Sequence, residues 1–255
     1  MASFGQQLRK SHGNTGMTKE DLAQVNKSKH VKPERVPDIA WHSQTLDWQS
    51  AERLNLHAVA WSAVAHGKPA TAIPATIRAF LRSQADALSD IGTVRLACGD
   101  YESAARSQQE ALELYEVLGD RLGEANALTH LGTVQQMSGA HDEAKASLDR
   151  AVVLYKGLGD ASGEAEALNN LGELALRTAE HSRARELHER ALAIATRIAA
   201  AREQARAHEG IGRSYLAEGQ AELGETSVCL AVQIYQQMGS PHATRAAKLL
   251  RCRGR

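Results

Sequence analysis

Between residues 125 and 160 the apolar and small side chains fall at steps of three and four: Ala125, Leu128, Leu131, Gly132 and Val134, then Ala144, Leu148, Ala151, Val152 and Tyr155. That spacing aligns them along one stripe of a helix, so the segment predicts two amphipathic helices. Gly139 interrupts between them and Gly159–Asp160 closes the second. The expected order is therefore helix A, a tight turn, helix B and a longer loop. No stretch alternates apolar and polar residues in a run rich in valine, isoleucine and aromatics, so strands are not expected.

The same pattern returns every forty residues. Gly92, Gly132, Gly172 and Gly212 form one column of the repeat; Gly119, Gly159, Ala199 and Gly239 form a second; Gly99, Gly139, Ala179 and Gly219 a third. Three columns in one register define stacked units, each covering the apolar face of its neighbour. The frame fits Ala85–Asp120, Ala125–Asp160, Ala165–Ala200 and Ala205–Ser240. The fourth unit departs from it, with Gly224 at a helix B alanine position and His208 at a large apolar one. Tyr115, Tyr155 and Tyr235 share a column, which points to packing of helix B on the next unit.

These units resemble the tetratricopeptide repeat. Leu131–Gly132 and Leu171–Gly172, with Ile91–Gly92 and Ile211–Gly212 as variants, match the leucine–glycine pair of its helix A; Ala104, Ala144 and Ala184, then Ala111, Ala151, Ala191 and Ala231, match the small residues of its helix B. The resemblance implies an all-α, right-handed α-solenoid of helical hairpins. Small residues belong where two helices cross closely, because an added side chain there costs about 1–3 kcal/mol. A forty-residue unit exceeds the usual length of about 34, and the surplus is expected in the loop after helix B, where GDRLGEA (119–125) and GDASGEA (159–165) recur.

Residues 83–250 are thus the repeat array, and 48–82, with Leu56, Val59, Ala60, Gly67, Ala72 and Ala79 in partial register, an introductory helical pair. Pro69 suits the first turn of its second helix, whereas Pro74 would kink that helix or start it later. Residues 26–47, containing Pro33 and Pro37, read as a linker. Residues 1–25 resemble the opening of a Cro/repressor-like helix-turn-helix domain, on Phe4-Gly-Gln-Gln-Leu8 and Gly16–Ala23, with Thr18 as N-cap. The recognition helix that should follow is missing from NKSKHVKPERVPDIA (26–40), which argues against direct DNA contact. Together with Trp48, Ala51, Glu52, Arg53, Asn55 and Leu56 and the GD-x-x-GEA segments, this opening resembles bacterial regulators of the signal-transduction ATPase class. No GxxxxGK[ST] phosphate loop is present. The resemblance then implies a sensor or partner-binding role without ATP hydrolysis; the alternatives are a peptide-responsive DNA-binding transcriptional regulator, which would need residues 3–40 to fold as a complete helix-turn-helix, or an auxiliary subunit of a separate ATPase.

Lysine plus arginine equals aspartate plus glutamate at 30 each, so global charge predicts neither nucleic acid nor membrane as partner. The ends are basic: residues 1–35 hold seven basic against three acidic side chains, and no acid follows Glu225. Such ends either meet an acidic partner or are simply solvated. The three cysteines, Cys98, Cys229 and Cys252, contain no CxxC pair and indicate neither a disulfide framework nor a zinc site. No apolar signal core or membrane-length run occurs, so the chain is expected in the cytoplasm. His181 and His188 could share a helix face, but without a third ligand the histidines read as solvated surface residues. No nucleophile elbow or metal motif suggests an enzyme, and no cofactor is expected.

In tetratricopeptide arrays helix A lines the concave groove. Carrying those positions over gives Asp86, Ser89 and Thr93; Asn126, Thr129, Thr133 and Gln136; Glu166, Asn169, Glu173 and Arg177; and Arg206, Glu209 and Arg213. Such amides, hydroxyls and charges suit hydrogen bonding to a protein or peptide, with the arginines able to grip carboxylates. Equally, an exposed helix face is polar in any case, and its charges pair with each other.

Overall fold

The computed structural model describes residues 75–251. The helix-turn-helix-like segment 1–25, the linker 26–47 and residues 48–74 of the introductory pair lie outside the described residues. Within them the chain is helical and forms no strand. Repeat 1 comprises α1 (Ala75–Ala97) and α2 (Tyr101–Leu118), repeat 2 α3 (Arg121–Ser138) and α4 (His141–Leu158), and repeat 3 α5 (Ala161–Arg177) and α6 (His181–Arg197). Repeat 4 comprises α7 (Ala201–Ala217) and α8 (Ala221–Gln237), and α9 (His242–Arg251) follows it. Each helix packs on the next, and A helices also meet across repeats, α3 on α5 and α5 on α7. This is an all-α solenoid of forty-residue helical hairpins. Helix α1 starts directly after Pro74 and runs unbroken through residues 82 and 83, where the sequence suggests a boundary.

The expected longer loop after helix B does not exist. Only Gly119–Asp120 separates α2 from α3, and only Gly159–Asp160 separates α4 from α5. The surplus over the shorter repeat is taken up by helices of 17 or 18 residues from α2 to α8. The GD-x-x-GEA segment is a helix–helix corner with a task for each residue. Gly119 and Gly159 end helix B at φ of 66° and 73°, a left-handed conformation in which a Cβ is penalised. Asp120 and Asp160 then cap helix A by accepting from the amides of Gly123 and Gly163. A Cβ on Gly123 would lie 2.2 Å from the Tyr115 ring, and one on Gly163 2.3 Å from the Tyr155 ring. These glycines clear space for an aromatic ring and do not break the helix.

The leucine–glycine pair works as the sequence implies in repeats 2 to 4, where Leu131, Leu171 and Ile211 are buried and the next residue, glycine, lets helix A touch helix B. In repeat 1 Ile91 is exposed instead, and only Gly92 packs, against Gln108. A Cβ on Gly132 would stand 2.6 Å from Leu148 Cγ and 3.3 Å from the Ala144 carbonyl. Ala104, Ala111, Ala144, Ala151, Ala184, Ala191 and Ala231 are all fully buried. Gly224, in the divergent fourth repeat, marks an even closer crossing: its Cβ would meet Leu216 at 2.6 Å and the Gly212 carbonyl at 3.0 Å. Gly132→Leu is expected to cost about 3 kcal/mol, the upper range for overpacking. Thermal unfolding followed by circular dichroism checks this; an unchanged midpoint would contradict the crossing.

Candidate functional site

The columns that hold the stack together change character in repeat 3. In repeats 1 and 2 the column reads Tyr115 and Tyr155, with Gly123 and Gly163 eight residues on; the corresponding residues of repeat 3 are Ala195 and Glu203. The tyrosine hydroxyls bridge to helix A of their own repeat: Tyr115 donates to Asp86 at 2.7 Å and Tyr155 to Asn126 at 2.7 Å. With Ala195 the ring and hydroxyl are lost. Glu203 stands where the ring's glycine partner would be, and it is 2% exposed.

A buried polar cluster is built on that exchange. Asn169 Nδ2 donates to the Glu203 carbonyl at 3.1 Å and to its carboxylate at 2.9 Å. Two acceptors fix the amide orientation, so Asn169 Oδ1 faces His188 Nδ1 at 2.9 Å and His188 donates from that nitrogen. Arg206 reaches the Glu203 carboxylate at 3.0 Å and Asn170 Oδ1 at 2.5 Å. Arg202 pairs with the other Glu203 oxygen at 3.0 Å. Both hydrogen bonds fall on Oε2, and the buried Oε1 has only the nearby Arg202 charge and no hydrogen-bond partner, so the desolvation of this carboxylate is offset in part.

His188 replaces a residue that packs on the glycine column: Gln108 lies against Gly92, Leu148 against Gly132 and Val228 against Gly212. Its ring is wedged between two helices, since a Cβ on Gly172 would be 2.5 Å, and one on Gly210 2.2 Å, from Nε2. The expectation of a solvated histidine is therefore corrected, for the side chain is 2% exposed. Burial first, then the charges of Arg206 and Arg213, push its pKa down to about 3. With Nδ1 as donor, Nε2 carries a lone pair that is buried and without a partner among the described residues. The turns at both ends of α6 add strain, because Ala179 and Ala199 adopt positive φ of 60° and 55° where other repeats use glycine.

This histidine links folding to pH. It is neutral in the folded chain down to about pH 3, while the unfolded chain takes up the proton below about 6.5. Its contribution is complete above the unfolded value and is lost as pH falls from there toward the folded one. Between pH 7 and 5 the loss expected from this residue is about 2 kcal/mol. Urea unfolding at both pH values checks it: His188→Leu should show the smaller fall, and equal falls would contradict the assignment.

The predicted groove residues separate into two sets. Asn169, Glu173, Arg206, Glu209 and Arg213 line one cavity of about 760 Å³, which Tyr235, Met238, Arg245 and Leu249 of α8, its C-terminal turn and α9 also border. Arg213 bonds Glu173 from the repeat before. Buried Glu209 accepts from Tyr235 at 3.1 Å and from Arg245 at 3.2 Å. Glu166 and Arg177 are partly or fully exposed outside that cavity; Arg202 approaches Glu166 at 3.5 Å, and Arg177 lies 3.8 Å from Glu173. In repeat 2, Asn126 is exposed and Thr133 half-buried, whereas Thr129 and Gln136 are buried and present no groove surface. The single Thr129 hydroxyl proton has the Ala125 carbonyl at 2.9 Å and the Tyr155 hydroxyl oxygen at 3.3 Å as its acceptors. In repeat 1, Asp86 is tied to Tyr115 and Ser89 to Gln108.

Reading across one repeat misses Glu203, His188, Asn170 and Arg245. Reading down the columns finds the first two, as the places where tyrosine–glycine becomes alanine–glutamate and a slot filled by Gln108, Leu148 and Val228 takes an imidazole. Among the described residues no three histidine, cysteine, aspartate or glutamate side chains gather as metal ligands. Cys98 and Cys229 are free and exposed, and no described helix is long and apolar enough to cross a membrane.

The sequence model of the tetratricopeptide repeat matches residues 83–157 and 139–197, so that stretch carries tetratricopeptide repeats. No curated protein matches its sequence. Among solved structures, the crystal structure of BtubC (BKLC) from P. vanneervenii is similar at TM-score 0.55 and 20% identity, over 77% of this chain and 76% of that one. The apo form of RapI is similar at TM-score 0.54 and 16% identity, over 62% of this chain and 45% of RapI. The chain thus spans less than half of RapI. MamA aligns at TM-score 0.37 and 20% identity over 61% of this chain and 94% of MamA, too loosely to carry an argument. Identities this low establish a shared fold alone.

Proposed function

We propose that the chain is a non-enzymatic protein-interaction module whose successive A helices hold a peptide segment of a partner. One observation carries the reading: five side chains from three repeat columns, chosen from sequence as groove residues, border a single cavity with α8 and α9. Arrays of this kind work as surfaces, and theirs is lined by helix A. Between α3 and α7 the A-helix positions change from Asn126 and Thr133 through Glu166 and Glu173 to Arg206 and Arg213. A partner would therefore meet neutral, acidic and basic zones in turn, which supplies register and orientation as much as affinity. The GD-x-x-GEA corners and the Trp48–Leu56 segment support a regulatory setting, with the array as the element that senses or holds the partner.

The test is affinity capture from the cell of origin, quantified by mass spectrometry on the wild-type chain beside an Asn126→Ala, Arg177→Ala, Arg213→Ala variant. A partner enriched on the wild type and depleted on the variant, at equal helicity, is the expected result. Equal recovery would place binding on another face.

A further inference from the structure

The outer face of α8 breaks with the rest of the array. Gly224, Val228, Ala231 and Tyr235 form its buried side, turned to α7. Leu223 and Leu230, about two turns apart, lie on another stripe and are 51% and 42% exposed. In the preceding repeats the same two columns carry Ser103, Glu143 and Arg183, and Glu110, Arg150 and Arg190. Those residues suit a solvated surface: Arg150 pairs with Glu116, and Arg183 with Glu186. The exchange extends along the helix. Residues 226–241 hold no charged side chain, whereas the matching stretches 146–161 and 186–201 hold four each. Between the leucines, Thr226 and Ser227 commit their hydroxyl protons to the backbone carbonyls of Glu222 and Leu223, so the face asks little of water. Half-buried Ile234 continues the stripe.

A face without charge offers nothing to steer an acidic or basic partner, but it matches itself. Antiparallel copies of one helix, related by a two-fold axis, bring each residue against the one equally far beyond the midpoint. About a midpoint between Thr226 and Ser227, Leu223 of one copy meets Leu230 of the other, and Thr226 meets Ser227. Large residues then flank a small centre, where two helices can approach closely. The same symmetry would set a charge near the axis against its own copy, and the uncharged run 226–241 avoids that. Glu222 and Glu225 fall opposite the uncharged later part of the helix. We propose that α8 is a self-association face, through which two copies of this chain pair antiparallel about a two-fold axis. One helix on each side is a small interface, so the dimer is expected to be reversible. Neither Leu223 nor Leu230 borders the A-helix cavity, so the inference is independent of how that cavity holds a partner.

Sedimentation velocity of the full chain across a concentration series tests it, in reductant so that exposed Cys98 and Cys229 cannot cross-link copies. The wild type should pass from monomer to dimer as concentration rises. Leu223→Arg with Leu230→Arg gives α8 the residues that repeat 3 carries in these columns, Arg183 and Arg190. Helicity should therefore hold while the arginines of the two copies repel, and dimerisation should weaken by about a hundred-fold or more. Leu223→Glu with Leu230→Arg instead copies Glu143 and Arg150 of repeat 2. In the antiparallel pair each glutamate meets an arginine of the other copy, so this variant should dimerise more strongly than the double-arginine chain. A wild type that stays monomeric at every concentration, including one whose α8 is protected only when a different protein is added, would overturn the proposal. Equal association of the wild type and the double-arginine variant would do so too, by putting the contact elsewhere. Equal association of the two charged variants, at matched helicity, would overturn the antiparallel pairing.

Discussion

Ala195→Tyr and Glu203→Gly should each destabilise the array, and combining them should restore much of the loss. In repeats 1 and 2 a tyrosine ring lies against a glycine so closely that a Cβ there would fall 2.2–2.3 Å from it. Repeat 3 has exchanged both members, with Ala195 fully buried and Glu203 filling the space. A tyrosine at 195 would drive into the Glu203 stem, at a cost of about 3 kcal/mol or more for overpacking. Glycine at 203 would leave Arg202 and Arg206 without their carboxylate and Asn169 without a side-chain acceptor, and would add roughly 1 kcal/mol of helix propensity loss. Together they recreate the corner of repeats 1 and 2. Urea unfolding of both single variants and the double should give a coupling near the upper end of the ~0.5–3 kcal/mol seen for residues in contact. Additive losses would show that the repeat 3 corner is not a replacement of the tyrosine corner.

Arg206→Ala should cost about 3 kcal/mol, the lower end for breaking a buried ion pair. The carboxylate of Glu203 is buried, and Arg206 is the partner that grips it at 3.0 Å while also bonding Asn170. The effect stays at the lower end because Arg202 still holds the other oxygen. Adding Glu203→Gln to Arg206→Ala removes the uncompensated charge, so this double variant should be more stable than Arg206→Ala alone. Chemical denaturation at pH 7 decides it. A loss under about 1 kcal/mol, the range of exposed pairs, would mean that Glu203 is hydrated and the cluster is surface decoration.

Much of this architecture is legible in the sequence because one period governs both. The leucine–glycine pairs, the helix B alanines and the tyrosine column all mark helix crossings, and each but the exposed Ile91 sits where its column implies. The corner after helix B reads as a loop for a physical reason: glycine next to aspartate ordinarily ends a helix and opens a loop. Gly123 and Gly163 are instead helical, selected by the ring of the preceding tyrosine. Family position assigns Thr129, Gln136, Asn169 and Glu209 to the groove, although all four are buried. The polar cluster of Asn169, His188, Glu203 and Arg206 escaped a reading that sought similarity between repeats, since it consists of the departures from that similarity. His188 in particular looks like a surface residue on an otherwise polar helix; only the glycines at 172 and 210, which give its ring room, show that it lies inside.

Those departures gather where A-helix side chains, α8 and α9 line a cavity, and we propose that recognition lies at this repeat 3–repeat 4 end of the array. Amide hydrogen exchange of the full chain with and without a bound partner peptide, taken from affinity capture or library selection, tests that claim most directly. Protection concentrated in α5, α7 and α9 is the predicted result. Protection confined to α4 and α6, with the A helices unchanged, would contradict it.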